Sequence, residues 1–120
     1  MPSIEDIMIE DAREYLVPKL KKIVPVDSGL LKRSIDAGKY EGRNRREADD
    51  NNFHLVQRII VHWKQNQYTV VAGALDRATS IYGHIQFQTN SAFRRKWIRV
   101  GREHEKEFAP RILKLILGGN

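Results

Sequence analysis

The N-terminal part of the chain has the spacing of an amphipathic helix. Its main apolar stripe repeats every fourth residue and comprises Ile4, Met8, Ala12, Leu16 and Leu20. One face should therefore meet the core. Ser3 and Asp6 have the spacing of a capping box, with aspartate in place of glutamate. Pro18 lacks an amide hydrogen and predicts either a kink near Val17 or two abutting helices, and Pro25 should end the helix.

Residues that favour a turn and a short helix come next. The capping and turn residues are Asp27, Ser28 and Gly29. They are followed by apolar residues that could bury one side of a helix ending near Ser34, namely Leu30, Leu31 and Ile35. A simple loop is the alternative interpretation of this segment.

The segment 38–52 predicts a long mobile loop. Its sequence, GKYEGRNRREADDNN, has charges of both signs, two glycines and no apolar period. Loops of more than about 12 residues in a compact domain are usually functional or disordered. We therefore expect this loop to order only against a partner. Its arginines belong to the predicted interface, namely Arg43, Arg45 and Arg46.

Two strands joined by a polar turn are predicted in the middle of the chain. The segment 53–63 has largely alternating apolar residues and favours a long strand, and 68–75 has the β-branched content of an antiparallel partner. Residues 76–80 form a connector. The alternation at 85–89 favours another strand, although a helical turn at 80–84 fits equally well.

A last helix is predicted from about Trp97 or Arg102 through Leu117, with Gly118 and Gly119 in C-terminal cap positions. Pro110 either kinks this helix or begins a new one. The whole pattern predicts an α+β fold. In it, N- and C-terminal helices pack on one face of a small antiparallel sheet of three or four strands, with one long polar loop.

Length and composition limit the classes that remain. A chain of 120 residues and 14.0 kDa predicts a single domain over 1–120. The absence of cysteine excludes disulfides, thiolate metal sites and a cysteine nucleophile. No apolar run approaches the roughly 20 residues that span a bilayer, and the acidic start lacks the pattern of a signal peptide. We therefore expect a soluble chain that is not exported and does not bind a membrane.

Positive charge is concentrated in one segment. The net charge is +6, from 21 basic and 15 acidic residues. Residues 94–102 hold a cluster without any acid, comprising Arg94, Arg95, Lys96, Arg99 and Arg102. In a helix, Arg95, Arg99 and Arg102 share a face, which suits an interface with an acidic protein surface. Solvated charge with Trp97 in the core, or phosphate contacts with Trp97 stacked on a base, are the alternatives.

The sequence holds no recognisable catalytic or metal-binding constellation. Four histidines, His54, His62, His84 and His104, form no ligand pair, and the segment around His104 lacks the second histidine of an HExxH site. His84 is expected to bond locally at a strand edge. The charges at 103–107 have the pattern of an exposed helical face, and Glu10 and Asp11 that of helix-start charges. We expect no enzyme activity, no cofactor and no metal.

Residues 25–35, PVDSGLLKRSI, resemble a signature of bacteriophage minor tail-component proteins, the tail-completion or head-tail neck family. The segments 82–89, YGHIQFQT, and 95–99, RKWIR, are similar to two later motifs of that family, in the same order. The matching signature positions are Pro25, Asp27, Ser28, Gly29, Leu31, Ser34 and Ile35. We expect these residues to shape the fold: the proline stops a helix, Asp27 or Ser28 caps the next turn, and the apolar residues are buried.

The resemblance implies a structural virion protein at the head-tail interface, made in the host cytoplasm. Members assemble as rings, usually hexameric, that join the tail tube to the connector. Implied partners are other copies of the chain, connector or adaptor proteins and tail-tube or terminator proteins. By this hypothesis the cluster at 94–102 contacts a neighbouring subunit or the acidic rim of a ring partner. DNA in the lumen is the other possible contact.

Two other functions are compatible with a small basic α+β chain. One is a toxin-like ribonuclease that cleaves RNA without metal, for which His84, Tyr82 and Arg99 are the candidate residues. The other is a nucleic-acid-binding module, whose affinity would fall steeply with salt.

Overall fold

The structure is a computed structural model that describes residues 3–25, 29–49 and 55–118. Its strands are β1 (Ile35–Lys39), β2 (Val56–Trp63) and β3 (Asn66–Ala74). Its helices are α1 (Ile4–Asp11), α2 (Val17–Ile23), α3 (Leu30–Ser34), α4 (Gly42–Asp49), α5 (Arg77–Thr89) and α6 (Ser91–Ile116), with a π-helical segment at Ala12–Leu16 between α1 and α2. The strands form an antiparallel sheet in the order β1-β3-β2. The predicted α+β class is confirmed.

The N-terminal helix begins and ends where the sequence predicts. Ser3 Oγ accepts a hydrogen bond from the Asp6 amide at 3.1 Å, and the Asp6 carboxylate accepts one from the Ser3 amide at 3.3 Å, which completes the capping box. Val24 is extended, with ψ 145°, so the helix stops before Pro25.

Pro18 is accommodated by the π-helical segment that precedes it, within a backbone that stays helical from Ile4 to Ile23, so the predicted alternative of two abutting helices is wrong. The Val17 amide donates to the Ala12 carbonyl, five residues earlier, in the π-helical segment. Pro18 then lies in the first turn of α2, where its missing amide hydrogen costs least.

The predicted hairpin is confirmed, with a tighter turn than the four polar residues indicated. Lys64 and Gln65 have positive φ angles of 50° and 66°, as a two-residue turn requires, and Trp63 pairs with Asn66. β3 is the central strand because it also pairs with β1.

The prediction of a mobile loop at 38–52 is wrong for the residues that the structure describes. Residues 38–39 belong to β1, and 42–49 form α4. Ala48 is fully buried against Val56 and Val71, on the sheet face opposite the main core. With a single alanine among charged and polar residues, α4 has no apolar periodicity from which a helix could be predicted. Residues 50–52 lie outside the described part of the chain.

The region after the hairpin is helical. The predicted strand at 85–89 is wrong, since these residues continue α5, and the connector at 76–80 contains its start. Asn90 ends α5 and caps α6, where its side chain accepts from the Phe93 amide at 3.1 Å, so α6 starts before Trp97. Pro110 begins no new helix. Gly118, with φ 76°, follows the helix end as expected, while Gly119 lies outside the described residues.

One main core joins the terminal helices to the same sheet face. From the strands it takes residues such as Ile59 and Val70, and from the helices residues such as Leu16 and Trp97. The core position of Trp97 is thereby settled, and burial of Leu31 and Ile35 is confirmed. The prediction that Leu30 is buried is wrong, since Leu30 is 56% exposed. In the described stretches, no helix has the length and apolar character needed to cross a membrane.

Candidate interaction site

The predicted cationic cluster lies on the N-terminal half of α6. Arg95, Arg99 and Arg102, here called the cationic row, are exposed and share one side of the helix, as their spacing predicts. Lys96 is also exposed. Among residues that the structure describes, none of these four cations takes part in an ion pair. Their charge is therefore available for contacts outside the chain.

Arg94 has a different role from the rest of the cluster. Its Nη1 donates to the carbonyl oxygens of Phe87 at 3.3 Å and Gln88 at 3.2 Å. These carbonyls lie in the last turn of α5 and lack helical partners of their own. Arg94 thus links α5 to α6, so part of the predicted interface is used within the fold.

A groove of about 420 Å³ lies between β2 and α6, beside the cationic row. Its apolar lining includes Leu55, Ile59, Phe87, Trp97, Ile98 and Phe108. Polar lining includes Arg58, Arg102 and Glu105. Arg102 belongs both to the groove and to the cationic row, so the two features form one continuous surface.

Two hydrogen bonds hold the walls of this groove in place. The Leu55 amide donates to the buried Ser80 hydroxyl at 3.0 Å, which ties the start of β2 to α5. Gln57 Nε2 donates to the Trp97 carbonyl at 3.4 Å, which ties β2 to α6. A Cβ at Gly101 would lie 2.7 Å from Gln57 Oε1, so the absence of a side chain there lets Gln57 reach the helix.

The three arginines of α4 lie apart from the cationic row. Arg43 Nε is 3.5 Å from Glu47 Oε1, and the Arg45 guanidinium stacks over the Tyr40 ring at 5.4 Å. Arg46 is exposed. Because α4 and α6 cover opposite faces of the sheet, the fold does not bring the two groups of predicted interface residues together. A role for the α4 arginines in an interface stays a prediction.

The described signature residues, 25 and 29–35, lie at the end of α2 and around α3. Pro25 follows the end of α2, and Gly29 takes φ 80° just before α3. The Ser34 hydroxyl donates to a carbonyl three residues earlier at 2.8 Å. The predicted caps, Asp27 and Ser28, lie outside the described residues. The described signature positions have structural roles.

A buried polar network lies at the contact between α1 and α6. His104 Nε2 is 2.9 Å from Asp11 Oδ1, and Arg111 Nε donates to Asp11 Oδ2 at 2.8 Å. Asp11 and His104 are 5% and 3% exposed. The Arg111 guanidinium stacks over the Tyr15 ring at 4.0 Å, and the His104 ring stacks on Phe108. Both oxygens of the Asp11 carboxylate thus have a partner.

The network corrects two predictions. Asp11 is not a helix-start charge, and His104 is not on an exposed face, because the two meet in the interior. Burial alone would raise the pKa of the Asp11 carboxyl, but hydrogen bonds and charge from His104 and Arg111 outweigh it and lower that pKa below its usual value. The bond to Asp11 in turn raises the pKa of Arg111.

The remaining histidines offer little support for catalysis. His84 is buried on α5, not at a strand edge, and its ring stacks on Phe87 with centroids 6.4 Å apart. His62 is exposed on β2, and His54 lies outside the described residues. His84 lines the groove, whereas Tyr82 and Arg99 do not, so the ribonuclease candidates do not share it. In the described ranges, no group of three or more metal-ligating residues occurs.

A scan against protein-family models matches no family, and searches of curated proteins and solved structures return no match.

Proposed function

We propose that this chain is a structural subunit of a bacteriophage head-tail interface, a tail-completion, neck or tail-terminator protein that assembles as a ring between tail tube and connector. The resemblance at 25–35 gives the class of protein. The charge distribution on two helices supports the ring.

The observation that carries the ring is a pair of complementary charged rows. On α6 the cationic row is exposed and makes no ion pair with a described residue. On the N-terminal helix, exposed acids follow at four-residue intervals, namely Asp6, Glu10 and Glu14. Opposite charges on two different surfaces of one subunit suit a head-to-tail contact, in which each copy offers one surface to each neighbour. Such contacts close into rings when the rotation between copies allows it.

A charge exchange tests this contact. The double variants Arg95→Glu/Arg99→Glu and Glu10→Lys/Glu14→Lys should each fail to assemble, because two like-charged rows would then meet. Mixed in equal amounts, they should assemble again, since every contact pairs opposite charges once more. Light scattering measures the mass, and negative-stain electron microscopy shows whether the assembled species are rings.

Lys22→Glu/Lys32→Glu is the matched control, because it removes two exposed cations from α2 and α3 and should leave assembly unchanged. A wild-type chain that stays monomeric at every concentration would contradict self-assembly. A mixture that fails to recover would contradict the pairing of these rows. A particle reconstruction that places the chain away from the neck would contradict the head-tail role.

A further inference from the structure

One edge of the sheet is open. β2 pairs with β3 alone. Trp63 pairs with Asn66 across the two-residue turn, and the Leu55 carbonyl accepts from the Ala74 amide at 2.9 Å. The odd-numbered residues of β2 therefore bond to β3. The backbone groups that face outward belong to the even-numbered residues Val56, Arg58, Ile60 and His62.

These outward backbone groups are unoccupied where β2 borders the groove. Among the described residues, no side chain or backbone group outside the sheet bonds the amide or carbonyl of Arg58 or Ile60. Both residues line the groove. The groove thus has a row of alternating backbone donors and acceptors along one wall and apolar side chains along the floor.

The opposite edge of the sheet, on β1, has an outward backbone group that is already hydrogen-bonded. On β1 the outward carbonyl of Ala37 accepts a hydrogen bond from Arg13 Nη2 at 3.2 Å, and Arg13 Nε donates to the Asp36 carboxylate at 3.1 Å. The guanidinium caps that edge against further pairing. The fold therefore blocks one edge and leaves the longer edge strand available.

We propose that the β2 edge binds an extended, acidic segment of a partner protein as a fourth strand, with apolar side chains of that segment on the groove floor. The inference stands on the sheet edge and does not depend on ring assembly. A polypeptide backbone matches the spacing of the free donors and acceptors along a strand, and alternate side chains provide the specificity. Arg58 borders the groove but is paired with Asp49 at 3.1 Å, so the unpaired positive charge beside the groove is that of the cationic row, which reaches the groove lining at Arg102. This row favours an acidic segment.

Edge charges argue against a second copy as the occupant. Arg58 is already paired with Asp49, but the cationic row beside this edge is unpaired among the described residues. An antiparallel pair of two β2 strands would bring the cationic rows of both copies to the same face of the joined sheet, where like charges repel. The same row would attract the carboxylates of an acidic segment.

The probe for this site is a labelled nonapeptide of alternating glutamate and valine, EVEVEVEVE, with blocked ends. Fluorescence polarisation should show saturable binding to the full chain. The lysine counterpart, KVKVKVKVK, should bind at least about tenfold more weakly because the cationic row borders the groove. Two further EV peptides carry N-methyl groups on alternate sets of amides. Methylation should abolish binding only in the peptide whose methyl groups occupy the amides that face β2, because a strand forms hydrogen bonds to a neighbouring strand through one of its two edges.

Two proline variants form a matched pair. Ile60→Pro removes an outward amide beside the groove, and His62→Pro removes one beyond it, and both positions suit proline because their amides are unused in the sheet. Ile60→Pro should weaken binding about tenfold or more, and His62→Pro less than about twofold. Bound peptide should also slow amide exchange at Val56, Arg58 and Ile60.

Several outcomes would overturn the inference. These are no saturable binding up to about 1 mM, equal binding of both methylated peptides, or slowed exchange only away from β2. Concentration-dependent protection of β2 without peptide would assign the edge to a second copy. Circular dichroism verifies that the proline variants fold, and if Ile60→Pro does not, the methylated peptides decide.

Discussion

Asp11 makes its most important contacts with residues that are distant in sequence. His104 and Arg111 lie 93 and 100 positions away. No local spacing connects them, and an acid beside Glu10 near the start of a helix has the ordinary pattern of dipole compensation. The sequence therefore could not indicate this network. Its existence depends on how α6 lies against α1, and hydrogen bonds to both oxygens of the Asp11 carboxylate offset the cost of burying it.

Replacement of this carboxylate should make stability less dependent on pH. Asp11→Asn should lower the free energy of unfolding by about 2–3 kcal/mol at pH 7, because Arg111 and His104 lose their charged partner. The folded-state pKa of Asp11 is lowered, so its contribution is complete above the unfolded value of about 3.9 and is lost as pH falls through the folded value. Urea denaturation at pH 7 and pH 3 should show the difference between the proteins shrinking at the lower pH.

Asp36→Asn is the control for this comparison. Asp36 pairs with Arg13 at 3.1 Å, but both side chains are about half exposed, at 50% and 49%. A surface pair of this kind contributes about 0–1 kcal/mol. A difference at Asp11 that stays constant between the two pH values would contradict the role of its ionised form.

The elements with strong apolar periods were predictable, and those with weak periods were not. The N-terminal helix, the hairpin and the C-terminal helix carry enough apolar residues to reveal their type. Ala48 is the one apolar side chain that α4 buries, on the sheet face opposite the main core, so the sequence of α4 has the composition of a loop. In α5, Ile85 and Phe87 alternate with polar residues, which is the pattern of a strand. Neither residue marks a buried helical face, since Ile85 is 50% exposed and Phe87 lines the groove.

The cationic row illustrates the same distinction for the candidate site. Helical spacing placed its three arginines on one face, and the structure has them there. The groove could not be predicted, since it needs β2, α5 and α6 in contact. The hydrogen bonds from Arg94 to the last carbonyls of α5 could not be predicted either, because the end of α5 was not predicted from the sequence.

The central strand depends on a glycine at position 73. Gly73 has φ 147°, and a Cβ there would overlap the Leu55 carbonyl oxygen and lie 2.7 Å from Val56 Cα. Both obstacles are backbone atoms, which cannot move aside without breaking the pairing of β2 with β3. Gly73→Ala should therefore lower the free energy of unfolding by about 3 kcal/mol or more, measured by urea denaturation.

Gly38→Ala provides the comparison within the same sheet. A Cβ at Gly38 would meet only Leu75 Cδ1 at 3.4 Å, an ordinary contact. This variant should change stability by less than about 1 kcal/mol. Equal losses in the two variants would show that the close approach at position 73 has no special importance.

On the scale of the whole molecule, charge is separated between two helices. If the rows on α1 and α6 drive assembly, added salt should weaken it, because the Debye length falls from about 10 Å at 0.1 M to about 3 Å at 1 M. Sedimentation velocity at several salt concentrations measures the effect. Assembly that strengthens with salt would instead point to the exposed apolar residues near the end of α6, Leu113, Leu115 and Leu117.

The bond between Asp11 and Arg111 also affects how the protein is made. During synthesis, the carboxylate emerges from the ribosome about a hundred residues before its guanidinium partner. The apolar face of the first helix must likewise wait for Phe108 and Ile112, which complete its packing. This domain cannot finish folding until these late residues have been synthesised, and until then it depends on chaperones or its own solubility to avoid aggregation.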